Sequence, residues 1–250
     1  MTLNGKHALI TGGGTGIGLA IAHMLVERGA HVTITGRRQE VLEEVATDGM
    51  TPMAMDVRNE DDVIAKIAAA VAAQGPIQIC VPNAGVATGK AAHKTDMTFW
   101  RDMMATNLDG AFLTIRESMK GMKDTDWGRV VAVSSMAGLK GLQGGACYSA
   151  SKHGMIGLIR SLSEEYLRTP YTFNSLCPGY VDTPIVTRNT QSISERAGIS
   201  EADALNMMVK VNRHKRLVTV EEVAAAAAWL VGPDSGSING QSIEIAGGMV

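Results

Sequence analysis

The sequence is poor in aromatic residues, at 4%, and has only seven prolines and three cysteines among its 250 residues. The cysteines, Cys80, Cys147 and Cys177, are odd in number, widely separated and form no C-x-x-C pair. That argues against a disulfide framework or a zinc site, and no metal site is expected; the usage fits a reducing cytosol. Neither sign of charge dominates. The 23 basic and 25 acidic residues leave a net charge of -2, which gives no reason to expect a nucleic-acid or anionic-membrane partner. Long apolar runs are also missing. The nearest, AAAAAWLV at 224–231, falls well short of the roughly 18 residues of a membrane span. The start, MTLNGKHALITGGG, has no charged segment followed by an apolar one, so no secretory signal is expected. These features together predict a cytoplasmic protein.

What the sequence does have is a regular alternation. Short apolar runs read as strands: HALIT (7–11), HVTIT (31–35), MAM (53–55), IQICV (77–81), RVVAVSS (129–135), YTFNSLC (171–177) and QSIEIA (241–246). Helical patterns separate them at 16–30, 38–46, 61–74, 97–122, 147–168 and 220–231. The strands are apolar almost throughout, as strands covered on both faces are. This predicts an α/β fold, one doubly wound parallel sheet of Rossmann type with helices on both faces, over a single domain, 1–250. Residues 184–218 break the rhythm with a polar, charged stretch. So long a connection in a compact domain reads as a substrate lid, with a surface insertion as the plainer alternative.

TGGGTGIG (11–18) joins the first strand to the first helix. Glycines there let backbone approach a ligand closely, and the helix N-terminus beyond suits a pyrophosphate. The residues in question are Gly12, Gly14, Thr15, Gly16, Ile17 and Gly18. The spacing is not G-x-G-x-x-G, and the acidic residue that holds a ribose 2′-hydroxyl is absent after the second strand. Arg37 and Arg38 stand there instead. A guanidinium binds a 2′-phosphate, so NADP(H) is favoured over NAD(H), with Arg37 the closer candidate. The alternative is that both arginines pair with Glu40 or Glu44.

YSASK (148–152) sets Tyr148 and Lys152 on one helix face. A free tyrosine has a pKa of about 10, and lowering it by roughly 2–3 units takes about 3–4 kcal/mol. One unit charge at about 4 Å and an effective dielectric near 20 supplies about 4 kcal/mol. A buried lysine at that distance would therefore make the tyrosine a usable acid. Alone, the pair reads equally well as a solvated helix face. It is accompanied by Ser135 at a strand end, Asn107 in a helical pattern, PNAG at 82–85 and CPGYVDTP at 177–184. In a doubly wound sheet such strand ends are where ligands bind.

This ordered set resembles the short-chain dehydrogenase/reductase family over the whole chain. The resemblance implies that Tyr148 is the general acid/base, that Lys152 lowers its pKa and holds the nicotinamide ribose, and that Ser135 orients the substrate oxygen. Asn107 would hold a water in a proton relay. Asp56 and Val57 would face the adenine, Asn83, Ala84 and Gly85 the adenosine side, and Val181 and Thr183 the carboxamide, after Pro178 and Gly179. The family is usually homotetrameric, often through the two long central helices, here 97–122 and 147–168. Two departures stand out: Pro82 occupies the first position of N-N-A-G, and Ala246 the first of D-G-G.

GACYSASKHGMIGL and CPGYVDTPI resemble 3-oxoacyl thioester ketoreductases and 3-hydroxyacyl-CoA dehydrogenases. An acyl thioester is thus the expected substrate, with a cyclic or aryl secondary alcohol and NAD as the alternative. A cofactor-sensing protein without catalysis is a more distant one, since the Asn/Ser/Tyr/Lys set is complete. Gln143, Cys147, Ile185 and Met207 are the substrate-contact candidates. Cys147 is read as a small apolar wall, and Val186, Met208 and Val211 as further lining or plain helix packing. The lid's Arg188, Arg196, Lys210, Arg213, Lys215 and Arg216 are candidates for a phosphorylated carrier or simply solvated.

Overall fold

The computed structural model describes residues 2–248. Seven strands form one parallel sheet: β1 (His7–Thr11), β2 (His31–Gly36), β3 (Met50–Ala54), β4 (Ile77–Val81), β5 (Gly128–Val133), β6 (Tyr171–Pro178) and β7 (Ser242–Ile245). Their order across the sheet is β3-β2-β1-β4-β5-β6-β7. The chain winds outward from β1 to β3, then returns to lay β4 against the other side of β1. The switch point between β1 and β4 is where such sheets open a crevice beyond their carboxyl ends.

Strand residues alternate between two cores. Ala8, Ile10, Val32, Ile34, Val131 and Leu176 face α1 (Gly16–Glu27), α2 (Gln39–Val45) and α9 (Val220–Leu230). Leu9, Ile77, Cys80, Val130, Ala132 and Phe173 face α3 (Glu60–Gln74), α5 (Gly110–Met122) and α6 (Ala146–Glu165). The alternation of side chains along a strand sends neighbouring residues to opposite layers. Both layers are apolar, so the strands carry continuous apolar runs.

The third strand begins earlier than MAM suggests: Met50 to Ala54 pair in register with Val32 to Gly36. The helical pattern at 97–122 is not one α-helix. α4 (Met97–Met104) passes into a π-helical segment, Ala105–Asp109, before α5. The polar stretch 184–218 carries α7 (Pro184–Ala197) and α8 (Glu201–Val209). α7 ends at Gly198 in the left-handed conformation, φ 64°, where glycine carries no Cβ penalty. No helix among the described residues is long and apolar enough to cross a membrane.

Candidate active site

The glycine-rich turn after β1 is shaped by contact as much as by conformation. A Cβ on Gly13 would lie 2.8 Å from Ile34 Cβ, and Gly16, at φ 55°, sits against Thr183. Gly18 packs on the Gly12 carbonyl, and Gly14 on Leu42. Thr15 precedes α1 without a side-chain cap, and the first turn of that helix holds no acidic residue. Its free N–H groups and positive dipole end therefore face the crevice. Asn83 fixes the turn from β4. Its Nδ2 donates to the carbonyls of Thr11 (2.9 Å) and Gly12 (3.1 Å). The N–H groups of Asn83 and Ala84 both donate to Thr11 Oγ1, each at 3.0 Å. Pro82 keeps its own link, since its carbonyl accepts from Val133 N–H at 3.0 Å.

Two cavities open along the strand ends. One, of about 390 Å³, is lined by Ser135, Tyr148, Lys152, Gln143 and Ile185, together with Ile17 and the Pro178–Gly179 turn. The other, of about 290 Å³, is lined by Gly12, Arg37, Asp56, Val57 and Ala84. Gly85 and Val86 belong to both, so the crevice runs from one to the other over that turn. Val181 and Thr183 line the larger cavity as well.

Arg37 lies on the wall of the smaller cavity, whereas Arg38, which precedes α2, is exposed and does not line it. Among the described residues neither arginine forms an ion pair, with Glu40, Glu44 or any other group. Arg58 binds the Asp56 carboxylate, with Nη2 2.6 Å from Oδ2. That bond, with a contribution from the charge of Arg37, holds the Asp56 carboxyl below its usual range.

Three of the four catalytic candidates, Ser135, Tyr148 and Lys152, line the larger cavity; Asn107 does not. Ser135 follows β5, and its Oγ accepts from Ala137 N–H at 3.1 Å. Burial pushes the Tyr148 phenol above its ordinary value, and a hydrogen bond with the Ser135 side chain opposes that rise. Lys152 is buried, and its Nζ donates to the Val133 carbonyl at 2.9 Å. Burial brings the lysine down to about 8. Its Nζ is 5.9 Å from the Tyr148 ring centroid. Within the protein itself burial raises the tyrosine, where the simple charge argument expects it lowered.

Asn107 lies in the π-helical segment and is fully buried. Its Oδ1 accepts from Val86 N–H at 2.8 Å, and its Nδ2 donates to Val86 O and Ser151 Oγ, both at 3.0 Å. The side-chain amide is spent on tying the Val86 turn to α6.

Two substrate-contact candidates do not reach the cavity. Met207 is 58% exposed, while Met208, at 3%, lines the cavity; neighbours on a helix point about 100° apart. Cys147 turns its Sγ toward the Trp100 carbonyl, 3.9 Å away, and is absent from the cavity wall. Sequence reasoning passed over Tyr180, Asn189 and Ile193, all of which line it. The i, i+4, i+8 spacing of Ile185, Asn189 and Ile193 was the available signal. Arg196 lines the mouth, whereas Arg216 is paired with Glu222 at 2.6 Å.

A Rossmann-type sheet with this hydroxyl pair and buried lysine at its carboxyl edge defines a nicotinamide-dependent oxidoreductase class. Residues 6–194 match the family model described as short chain dehydrogenase, and the chain belongs to that family. It is 34% identical to a putative ketoacyl reductase of Streptomyces coelicolor, covering 99% of this chain and 98% of the relative. Among solved structures, an actinorhodin polyketide ketoreductase variant with NADPH superposes with a TM-score of 0.93 at 33% identity, covering 98% of this chain and 97% of the other. A 3-ketoacyl-(acyl-carrier-protein) reductase from Brucella melitensis complexed with NADH gives 0.88 at 25% identity, covering 99% of both chains. The chain is an oxidoreductase that interconverts ketone and alcohol with a nicotinamide cofactor.

The residues present fit that cofactor. The uncapped N-terminus of α1 and the side-chain-free glycine turn suit a pyrophosphate. The buried Lys152 has no carboxylate partner among the described residues and suits ribose hydroxyls as acceptors.

Proposed function

We propose that this protein is an NADPH-dependent reductase of 3-oxoacyl thioesters. The observation that carries the reading is that the Ser135 and Tyr148 hydroxyls line one cavity together with the apolar Ile185, Val186 and Ile193 of α7. Two hydroxyls and an apolar helix face in one cavity suit a reacting carbonyl on an acyl chain. The resemblance of both sequence and fold to ketoacyl reductases supports the substrate class.

The nicotinamide supplies the hydride when bound. The chain's own residues do the rest. Ser135 and Tyr148 donate to the substrate carbonyl oxygen and stabilise the charge that develops there. Tyr148 then gives that oxygen its proton. Lys152 holds the ribose hydroxyls and, charged, favours the phenolate left behind. Asn107 holds the Val86 turn at the junction of the two cavities. Arg37, exposed and without an ion-pair partner, takes the 2′-phosphate, while Asp56, already neutralised by Arg58, repels it little. α7 and α8 form the lid. The half-exposed Trp100 and Phe112 on α4 and α5 favour a homotetramer built on the central helices, and three buried free cysteines favour a cytoplasmic setting.

Binding of NADPH and of NADH to the purified protein, followed by nicotinamide fluorescence, tests the reading. Affinity for NADPH at least about tenfold higher, a difference of about 1.4 kcal/mol, is the expected result. Preference for NADH would contradict it and favour oxidation of a cyclic or aryl secondary alcohol with NAD. Binding without turnover on any ketone would favour a cofactor sensor.

A further inference from the structure

Tyr180 follows the Pro178–Gly179 turn and lines the same cavity as Tyr148. Its side chain lies close enough for its charge to act on the Tyr148 phenol. It is partly buried, and its hydroxyl forms no hydrogen bond among the described residues and is open to solvent. Burial raises its pKa, so it remains a donor across the neutral range.

The backbone beneath it is held unusually firmly. Asn212 is fully buried. Its Oδ1 accepts from Tyr180 N–H at 2.9 Å and its Nδ2 donates to Tyr180 O at 2.9 Å. The same Nδ2 donates to Arg216 O at 2.7 Å, and Val218 N–H donates to Tyr180 O at 2.9 Å. Gly179 makes the clamp possible, because a Cβ there would come 2.2 Å from Asn212 Oδ1. A fixed backbone carrying a phenol on the cavity wall is a site prepared for a ligand atom.

We infer that Tyr180 is a specificity-determining residue whose hydroxyl donates to a second oxygen of the substrate, the one that is not reduced. Ser135 and Tyr148 address the reacting oxygen, and Tyr180 addresses its neighbour. The substrate class selected is then a 1,3-dicarbonyl compound, in which a thioester or ester carbonyl lies two carbons from the ketone. The inference rests on the reading of this cavity as a 3-oxoacyl site and adds the residue that tells such a substrate from a simple ketone.

The test compares wild type with Tyr180→Phe on two substrates under NADPH: an acetoacetyl N-acetylcysteamine thioester, and a methyl ketone of the same length without the second carbonyl. The expected result is a kcat/KM for the thioester about tenfold lower in the variant, largely through KM, the worth of one hydrogen bond to the substrate. Reduction of the plain ketone should stay within about twofold. Equal losses on both substrates, or no loss on either, would overturn the assignment. Thermal denaturation of the variant shows whether an equal loss comes from misfolding. In that case Tyr180→Trp, which retains an N–H donor, serves as the second variant, and failure of Trp to keep the dicarbonyl preference overturns the assignment as well. If wild type itself shows no preference for the thioester, the 3-oxoacyl reading has failed, and the role of Tyr180 fails with it. If wild type prefers the thioester and Tyr180→Phe keeps that preference, only the role of Tyr180 has failed.

Discussion

Lys152 stands beside the Tyr148 ring, its Nζ 5.9 Å from the centroid, and donates to the Val133 carbonyl at 2.9 Å. A buried ammonium bonded to a neutral carbonyl is poorly compensated. That is why its pKa falls from 10.5 to about 8. The cation is kept at a cost to the fold because the chemistry uses it.

Replacing the lysine should therefore separate activity from stability. The charged form is the disfavoured one in the folded state. Its cost is complete below pH 8, fades between pH 8 and 10.5, and is absent above. A shift of this size corresponds to on the order of 3 kcal/mol, and loss of the Val133 bond returns about 1–2 kcal/mol of it. Lys152→Met should be more stable than wild type at pH 7 by about 1–2 kcal/mol, with turnover down at least about 100-fold. Denaturant titrations at pH 7 and pH 10 check this. A variant less stable at pH 7 contradicts it, as does an advantage that grows toward pH 10.

Asn107 should behave in the opposite way. Asn107→Ala leaves Val86 N–H, Val86 O and Ser151 Oγ without the partner that binds them. The expected cost is about 2–3 kcal/mol of stability together with reduced turnover. A variant with unchanged denaturation midpoint and lost turnover would show that Asn107 acts in the chemistry alone.

His7 supplies an acid limb. Its ring bridges Gly75 O at 2.8 Å and Thr33 Oγ1 at 2.9 Å. Burial first, and the charge of His31 in addition, hold its pKa below 6.5, against a smaller rise from the Gly75 bond. The folded state thus prefers the neutral ring. Stability from this group is complete above pH 6.5 and is lost as pH falls below that value. Thermal midpoints from pH 7.5 to 5 should fall less steeply in His7→Gln. Parallel slopes would remove His7 as the cause.

Much of this architecture is legible in the sequence, and the exceptions have physical reasons. HALIT and IQICV match β1 and β4 residue for residue, because buried parallel strands carry uninterrupted apolar runs. The π-helical segment around Asn107 escapes a search for 3.6-residue periodicity, since one inserted residue leaves the apolar stripe nearly intact. Met207 and Met208 are both lining candidates by sequence, and of the two Met208 lines the cavity, because a lone helix pattern does not fix its rotation against the sheet. Cys147 flanks the catalytic turn in sequence, yet α6 directs it toward Trp100. Tyr180 was hidden for another reason: nothing in the order of residues says that Asn212, 32 positions on, holds its backbone.

Arg37 carries the cofactor preference. Arg37→Ala should lower NADPH affinity about tenfold or more and leave NADH affinity within about twofold, as loss of one charge-assisted phosphate contact predicts. Arg38→Ala should do much less, since Arg38 does not line the cavity. Fluorescence titration with both nucleotides decides it. Equal weakening of both would mean that Arg37 supports the fold of the turn and does not read the phosphate.

The most direct test of the account is the steady-state reduction of an acetoacetyl thioester by NADPH, measured in wild type and in Tyr148→Phe, with NADPH binding measured alongside. Wild type should turn over. The variant should lose about 100- to 10,000-fold in kcat, the range of a general acid, while binding NADPH almost as tightly. Turnover by Tyr148→Phe within tenfold of wild type would contradict the assignment of Tyr148 as the proton donor.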